Sequence, residues 1–212
     1  MVTKKETLNN AIKSIIAPQL KSLGFKKSGR NFYRMKGDFI QVINFQGSWT
    51  GGIFFVNLGV LIYSIPKLWG DDFILLDKPL EGDCHFQARL TTEEDREKGH
   101  CDHIWNRYAN QEKTDRVVKR LLPTLLGYGI TWLDNLSNYR NIIHIYETQK
   151  DKMLAKYMVG IWRELVAAIA YEKLGNHQKA YECITELIES KYFSNFGQRT
   201  KSFILEVQKR NS

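Results

Sequence analysis

The stretch that decides the fold is GIFFVNLGVLI, Gly52 to Ile62. Its alternate positions Phe54, Val56, Leu58, Val60 and Ile62 are all apolar, whereas Asn57 and Gly59 interrupt the other set. A period of two sends successive side chains to opposite faces of an extended chain, so this is a strand with one face on a core. Its neighbours carry the same signature. Asn31–Lys36 and Phe39–Gln46 flank the turn pair Gly37-Asp38 and read as a hairpin. In CHFQARL (84–90), Cys84, Phe86, Ala88 and Leu90 point one way and His85, Gln87 and Arg89 the other. Strands that follow one another through turns make an antiparallel meander, with one face under helices and the other polar.

Beyond these strands the period becomes helical. Thr3 or Thr7 can cap an opening helix striped by Leu8, Ile12, Ile15, Ile16, Leu20 and Leu23. Pro18 predicts a kink or restart there, and Gly24 a left-handed stop onto which Phe25 folds back. Behind Thr114 as a cap, Val117/Val118, Leu121/Leu122 and Leu125/Leu126 recur until Gly127-Tyr128-Gly129 breaks the pattern, and TWLDNLSN begins a short helix. Asp151 is placed to cap a long helix with Leu154, Tyr157, Met158, Ile161, Trp162, Leu165 and Ile169 on its stripe. After the turn Leu174-Gly175-Asn176, Ala180, Tyr181, Ile184, Leu187 and Ile188 stripe the next, and Thr200–Lys209 closes the chain. The expected class is α+β: an N-terminal helix, an antiparallel β-meander of four to five strands, and C-terminal helices ending in a helical hairpin. No Pro/Ser linker interrupts the chain, so an α+β domain over 1–150 and a docked helical extension over 151–212 are expected.

The 212 residues are 43% hydrophobic and 25% charged, which excludes disordered and fibrous classes. Lys and Arg number 31 against 23 Asp and Glu, and nine of the basic but two of the acidic side chains fall in the first forty residues. Cys84, Cys101 and Cys183 are widely spaced and imply no disulfide framework. The start lacks the apolar run of a signal peptide, and no apolar stretch reaches the roughly 20 residues of a bilayer span. A cytoplasmic protein with no membrane partner is expected.

Chemistry was weighed motif by motif. Cys84, His85, His100, Cys101, Asp102 and His103 are tempting metal donors, but neighbours on a strand diverge, and the remainder lacks structural-zinc spacing. No metal site and no cofactor are expected; a metal-dependent hydrolase is a remote alternative resting on that set. GSWTGG (47–52) is not a nucleophile elbow and GFKKSGR (24–30) is not a P-loop, so no catalytic residue is assigned and the chain reads as no enzyme.

Two surfaces read as binding sites. Trp49, Asn57, His85, Gln87 and Arg89, with Asn44, should line the polar sheet face and suit recognition of another protein. Lys26, Lys27, Arg30 and Arg34, interleaved with Phe32 and Tyr33, suit nucleic acid as the alternative partner, although only one of the two aromatics can face outward.

GFKKSGRNFYR (24–34), INFQGS (43–48), FFVNLGV (54–60), CHFQARL (84–90) and Trp105, in that order, resemble an uncharacterised bacterial domain-of-unknown-function family over roughly residues 8–140. The resemblance implies a compact α+β domain and a bacterial source, and it carries no activity. AYEKLGNHQKAYECITELI (170–188) is similar to one tetratricopeptide-type hairpin; such repeats need about three copies to bury a continuous core, so a plain helix pair is expected. The expected function is a non-catalytic, bacterial, cytoplasmic protein-binding module, of the kind that serves as an immunity, antitoxin or defence accessory factor. A basic chain is ill suited to neutralising a cationic nuclease.

Overall fold

The computed structural model describes residues 3–49, 51–66, 75–100, 103–150 and 163–212. Its sheet is a meander of β1 (Lys26–Ser28), β2 (Asn31–Lys36), β3 (Phe39–Gly47) and β4 (Ile53–Ile62), every pair antiparallel. β5 (Phe86–Arg89) and the two-residue β6 (Trp105–Asn106) both pair with the free side of β4, at opposite ends of it. The hairpin at Gly37-Asp38 forms as expected, with Lys36 opposite Phe39 and Gly37 at φ +58°. All five alternate apolar residues of β4 are fully buried in the main core. Each contributes about 2 kcal/mol by leaving water.

Helices cover that face. Thr3 caps α1 (Lys4–Ala11), its Oγ1 accepting from Glu6 N–H while the Glu6 carboxylate accepts from Thr3 N–H. The helix widens into a π-turn (Ile12–Ile16) and resumes as α2 (Ala17–Ser22) with Pro18 in its first turn, where a missing N–H is harmless. Gly24 at φ +87° stops it, and Phe25 N–H bonds back to Leu20 O over a buried ring. After α3 (Glu93–Glu97) and β6 comes α4 (Gln111–Thr124), capped by Asn110. Thr114 is therefore not the cap: it is buried one turn inside, and its Oγ1 donates to Tyr108 O and meets Thr7 Oγ1, clamping α4 to α1. Nor does Gly127-Tyr128-Gly129 break the helix. It forms a second π-turn (Leu125–Gly129) running directly into α5 (Ile130–Leu136), with Gly129 packed so closely that a Cβ would lie 3.1 Å from Leu125 Cδ1 and 3.2 Å from Leu90 Cδ1.

α6 (Tyr139–Gln149) leads toward the C-terminal helices. The expected cap Asp151 and the stripe residues Leu154, Tyr157, Met158, Ile161 and Trp162 lie outside the described residues. Leu165 and Ile169 are buried on α7 (Arg163–Lys173), which turns at Gly175 into α8 (His177–Glu189), capped by Asn176, and α9 (Gln198–Asn211) follows. One apolar core runs from Leu8 through the sheet to Val207. Lys173 on α7 reaches Asp38 in the β2–β3 hairpin at 2.9 Å.

The strand pattern fails at one place. CHFQARL was read as extended from its first residue, but a 3-10 turn (Glu81–Asp83) closes with Cys84 N–H on Glu81 O, and pairing starts only at Phe86. Cys84 accordingly lies with Ile40, Val42 and Leu61 in a small cluster on the open face, opposite Phe86. Gly59 makes room for it: a Cβ there would meet Cys84 Sγ at 2.6 Å and Cys84 Cβ at 3.0 Å. Gly59→Val is expected to cost about 2 kcal/mol through overpacking, and adding Cys84→Ala should recover about half, read from urea midpoints. An unshifted midpoint in the single variant would mean the turn does not press on β4.

Candidate binding surfaces

Register builds the open face. Asn31, Asn44, Asn57 and Arg89 stand side by side on four successive strands. Asn44 Nδ2 donates to Asn31 Oδ1 at 2.5 Å, and Asn57 Nδ2 approaches Asn44 Oδ1, Gln46 Oε1 at 3.0 Å and Glu81 Oε1 at 3.2 Å. Side-chain amides each offer donors and acceptors, so the row satisfies itself and stiffens this face. The Arg89 guanidinium lies 4.2 Å over the Phe55 ring, and Gln87 Nε2 donates to Cys84 O and Gly82 O, holding the 3-10 turn against the sheet. Beyond the Gly47–Phe54 end of the strands, the β3–β4 loop lifts Trp49 into solvent, 96% exposed.

Four of the expected face residues, Asn44, Asn57, Gln87 and Arg89, thus share this face, with Asn57 buried in the amide row. His85 does not join them. Preceding β5, it escapes the strand's alternation and is buried, and its Nδ1 accepts the Ile62 N–H at 3.0 Å. Burial pushes its pKa down to about 4.

The basic segment divides in the same way. Lys26 and Lys27 are exposed on the edge strand β1. Phe32 is buried and Tyr33 leans on the small open-face cluster. Arg34 follows the parity of Phe32 and faces the helices, 4.5 Å over the Phe25 ring, with Nε on Gln41 Oε1 and Nη2 on Asp134 Oδ1. It is unavailable to phosphate, so Lys26, Lys27, Arg30 and Arg34 do not form one patch. Arg30 instead bonds Asn9 Oδ1 through Nε and approaches Arg107 beside Gly47. No sequence signal announced Arg107 as a neighbour, because it is brought there by the two-residue strand β6.

The donor set considered for metal is dispersed. The Cys84 thiol is raised well above its ordinary range by burial and by Asp83 and Glu81. His103 Nδ1 bonds Asp95 Oδ2 at 2.5 Å, and hydrogen bonds from Thr92 and His103 hold Asp95 down to about 2. His100 Nδ1 is 3.6 Å from the other Asp95 oxygen, and Cys101 and Asp102 lie outside the described residues. Among the described residues no group of three His, Cys, Asp or Glu side chains is arranged to hold a metal ion. Nor, among them, is any helix long and apolar enough to cross a membrane.

A family model described as a domain of unknown function (DUF4304) matches residues 16–135. That span holds the whole sheet, the amide row, Trp49 and Arg107. Neither the curated proteins nor the solved structures give a match.

Proposed function

Since the chain belongs to this DUF4304 family, whose description names no activity, we propose from its own geometry that it is a non-catalytic protein-binding module whose open sheet face docks a partner protein. The observation that carries the reading is Trp49. An indole that is 96% exposed has no folding role, and Trp is among the residues most enriched in interface hot spots. The partner's chemistry follows: an apolar pocket for the indole, rimmed by carboxylates toward the exposed Lys26. Against catalysis, the histidine and the thiol nearest the face are buried, His85 committed to Ile62 and Cys84 raised in pKa. Free, buried Cys84 and Cys183 suit a reducing cytoplasm. In a bacterium, an immunity, antitoxin or defence accessory role fits such a module, with the partner's activity changing on binding.

A photo-crosslinking residue replacing Trp49 should join the full-length chain to one protein, whereas the same residue replacing the exposed Leu205 on α9 should not. Unlabelled wild-type protein should compete and Trp49→Ser should compete about tenfold less well, with a melting temperature like that of the wild type. Equal competition by Trp49→Ser, or recovery of nucleic acid alone, sinks the reading.

A further inference from the structure

At the loop end of the sheet, on its helical side, two guanidinium groups converge over one glycine. Gly47 ends β3, and a methyl group built on it would lie 2.5 Å from Arg107 Nη1 and 2.8 Å from Arg30 Nη1. Only glycine lets both tips approach the strand this closely. Arg107 is 8% exposed, and its Nε is buried with no acceptor. Its Nη2 donates to Ser48 O at 2.7 Å and its backbone N–H to Gly52 O at 2.8 Å, so the loop holds the fork in place with Nη1 over Gly47, facing Arg30 Nη1. Arg30 is steadied from the other side by Asn9 Oδ1 at 2.7 Å. Farther along the same loop, Lys4 Nζ is 3.5 Å from the position a Cβ on Gly52 would take.

Among the described residues, no carboxylate forms an ion pair with any of the three. The acid nearest in sequence on α1, Glu6, is engaged by Thr3. Desolvation and the charge of Arg107 both push the Arg30 pKa down. Holding two like charges together, one of them buried, is costly unless an anion joins them.

We propose that Arg30, Arg107 and Lys4 form an anion site over Gly47, and that its ligand is a phosphate group. A carboxylate saturates one guanidinium fork, whereas a tetrahedral dianion presents oxygens to two forks and an ammonium at once. Gly47 has the parity of the helical side of the sheet, opposite to that of the amide row.

The test is calorimetric titration of the full-length chain with inorganic phosphate at constant ionic strength. Binding should saturate in the wild type. Gly47→Ala pushes the two guanidinium tips apart; it should weaken binding roughly tenfold or more, as should Arg30→Gln. Gly82→Ala, with nothing within 4 Å of its new methyl, should bind like the wild type. Competition by a 5′-phosphorylated oligonucleotide, but not by its unphosphorylated twin, assigns the phosphate to a nucleic-acid end; competition by neither assigns it to the free ion. Heat without saturation, a Gly47→Ala chain that binds normally, or an unphosphorylated oligonucleotide competing as well as phosphate overturns the proposal.

Discussion

Acidifying the protein from pH 7 to pH 4 is expected to remove about 3 kcal/mol of stability through His85 alone. Its imidazole is 7% exposed, and Nδ1 accepts the Ile62 N–H at 3.0 Å, which requires the neutral ring with its proton on Nε2. Protonation would put a charge in the core and turn the acceptor into a donor facing a donor. Burial therefore lowers the pKa from 6.5 to about 4. The sign follows from proton counting. Between these values the unfolded chain binds a proton that the folded chain refuses, so unfolding gains as pH falls. The stability is fully present above about 6.5, is lost progressively down to about 4, and loses no more below that, where both states are protonated. The carboxylates held low add their losses beneath their ordinary values, 3.8 for Asp134 and Asp95 and 4.5 for Glu147, so the windows separate above about 4.5. Urea midpoints across this range should fall for the wild type. In His85→Asn, whose Oδ1 can accept the same N–H without titrating, they should stay level between pH 4.5 and 6.5, windows set by the same two pKa values. A His85→Asn chain with the wild-type slope would place the proton-sensitive group elsewhere.

His85 also marks where the sequence stops being readable. The alternation in Phe54–Ile62 is legible because every second residue meets the same core, so pattern and burial coincide along the whole strand. CHFQARL carries the same alternation, yet the 3-10 turn reverses Cys84 and removes His85 from the pleat. That turn depends on the close approach permitted by Gly59 on another strand, which no local pattern contains. Strands β1 and β6 escape notice because segments of three and two residues have too few side chains to show a period. Without β6 the approach of Arg107 to Arg30 is invisible, while the exposed Trp49 needed only its glycine-rich surroundings to be noticed. Arg34 is the opposite case. The period that buries Phe32 also turns Arg34 to the helices, so its inward direction was readable from NFYRMK. What could not be read was the acid waiting for it a hundred residues later.

That acid, Asp134 on α5, holds a polar network between sheet and helix: Asp134→Ala is expected to cost about 2–3 kcal/mol. One carboxylate oxygen receives Arg34 Nη2 at 2.5 Å, Lys36 Nζ at 2.9 Å and Gln41 Nε2 at 3.1 Å. Gln41 is fully buried and the Arg34 side chain is 15% exposed, so two strands present polar groups to the helices that only α5 can satisfy. Removing the acceptor leaves a nearly buried guanidinium with Gln41, Leu23 O and the Phe25 face, but without its counter-charge. The full penalty for orphaning a buried ion is about 3–5 kcal/mol, and it is discounted here because water can reach a carboxylate that is 35% exposed. For a chain of this length such a loss corresponds to a fall of roughly 5–10 °C in melting temperature. Burial opposes ionisation of Asp134, but hydrogen bonds from Lys36 and Gln41 and the charge of Arg34 outweigh it and hold the pKa down. The ionic part of the stabilisation is therefore present above 3.8 and lost as pH falls below it, and Asp134→Asn should remove that acid limb while keeping an acceptor. Two outcomes separate a clamp from a passive surface pair. If the network pins α5 to β2 and β3, replacing both charges, Arg34→Met with Asp134→Leu, should restore most of the stability lost by Asp134→Ala, since it removes the orphan as well as its partner. If the Asp134→Ala chain melts with the wild type, the helix is held by its apolar face alone and the three hydrogen bonds are incidental.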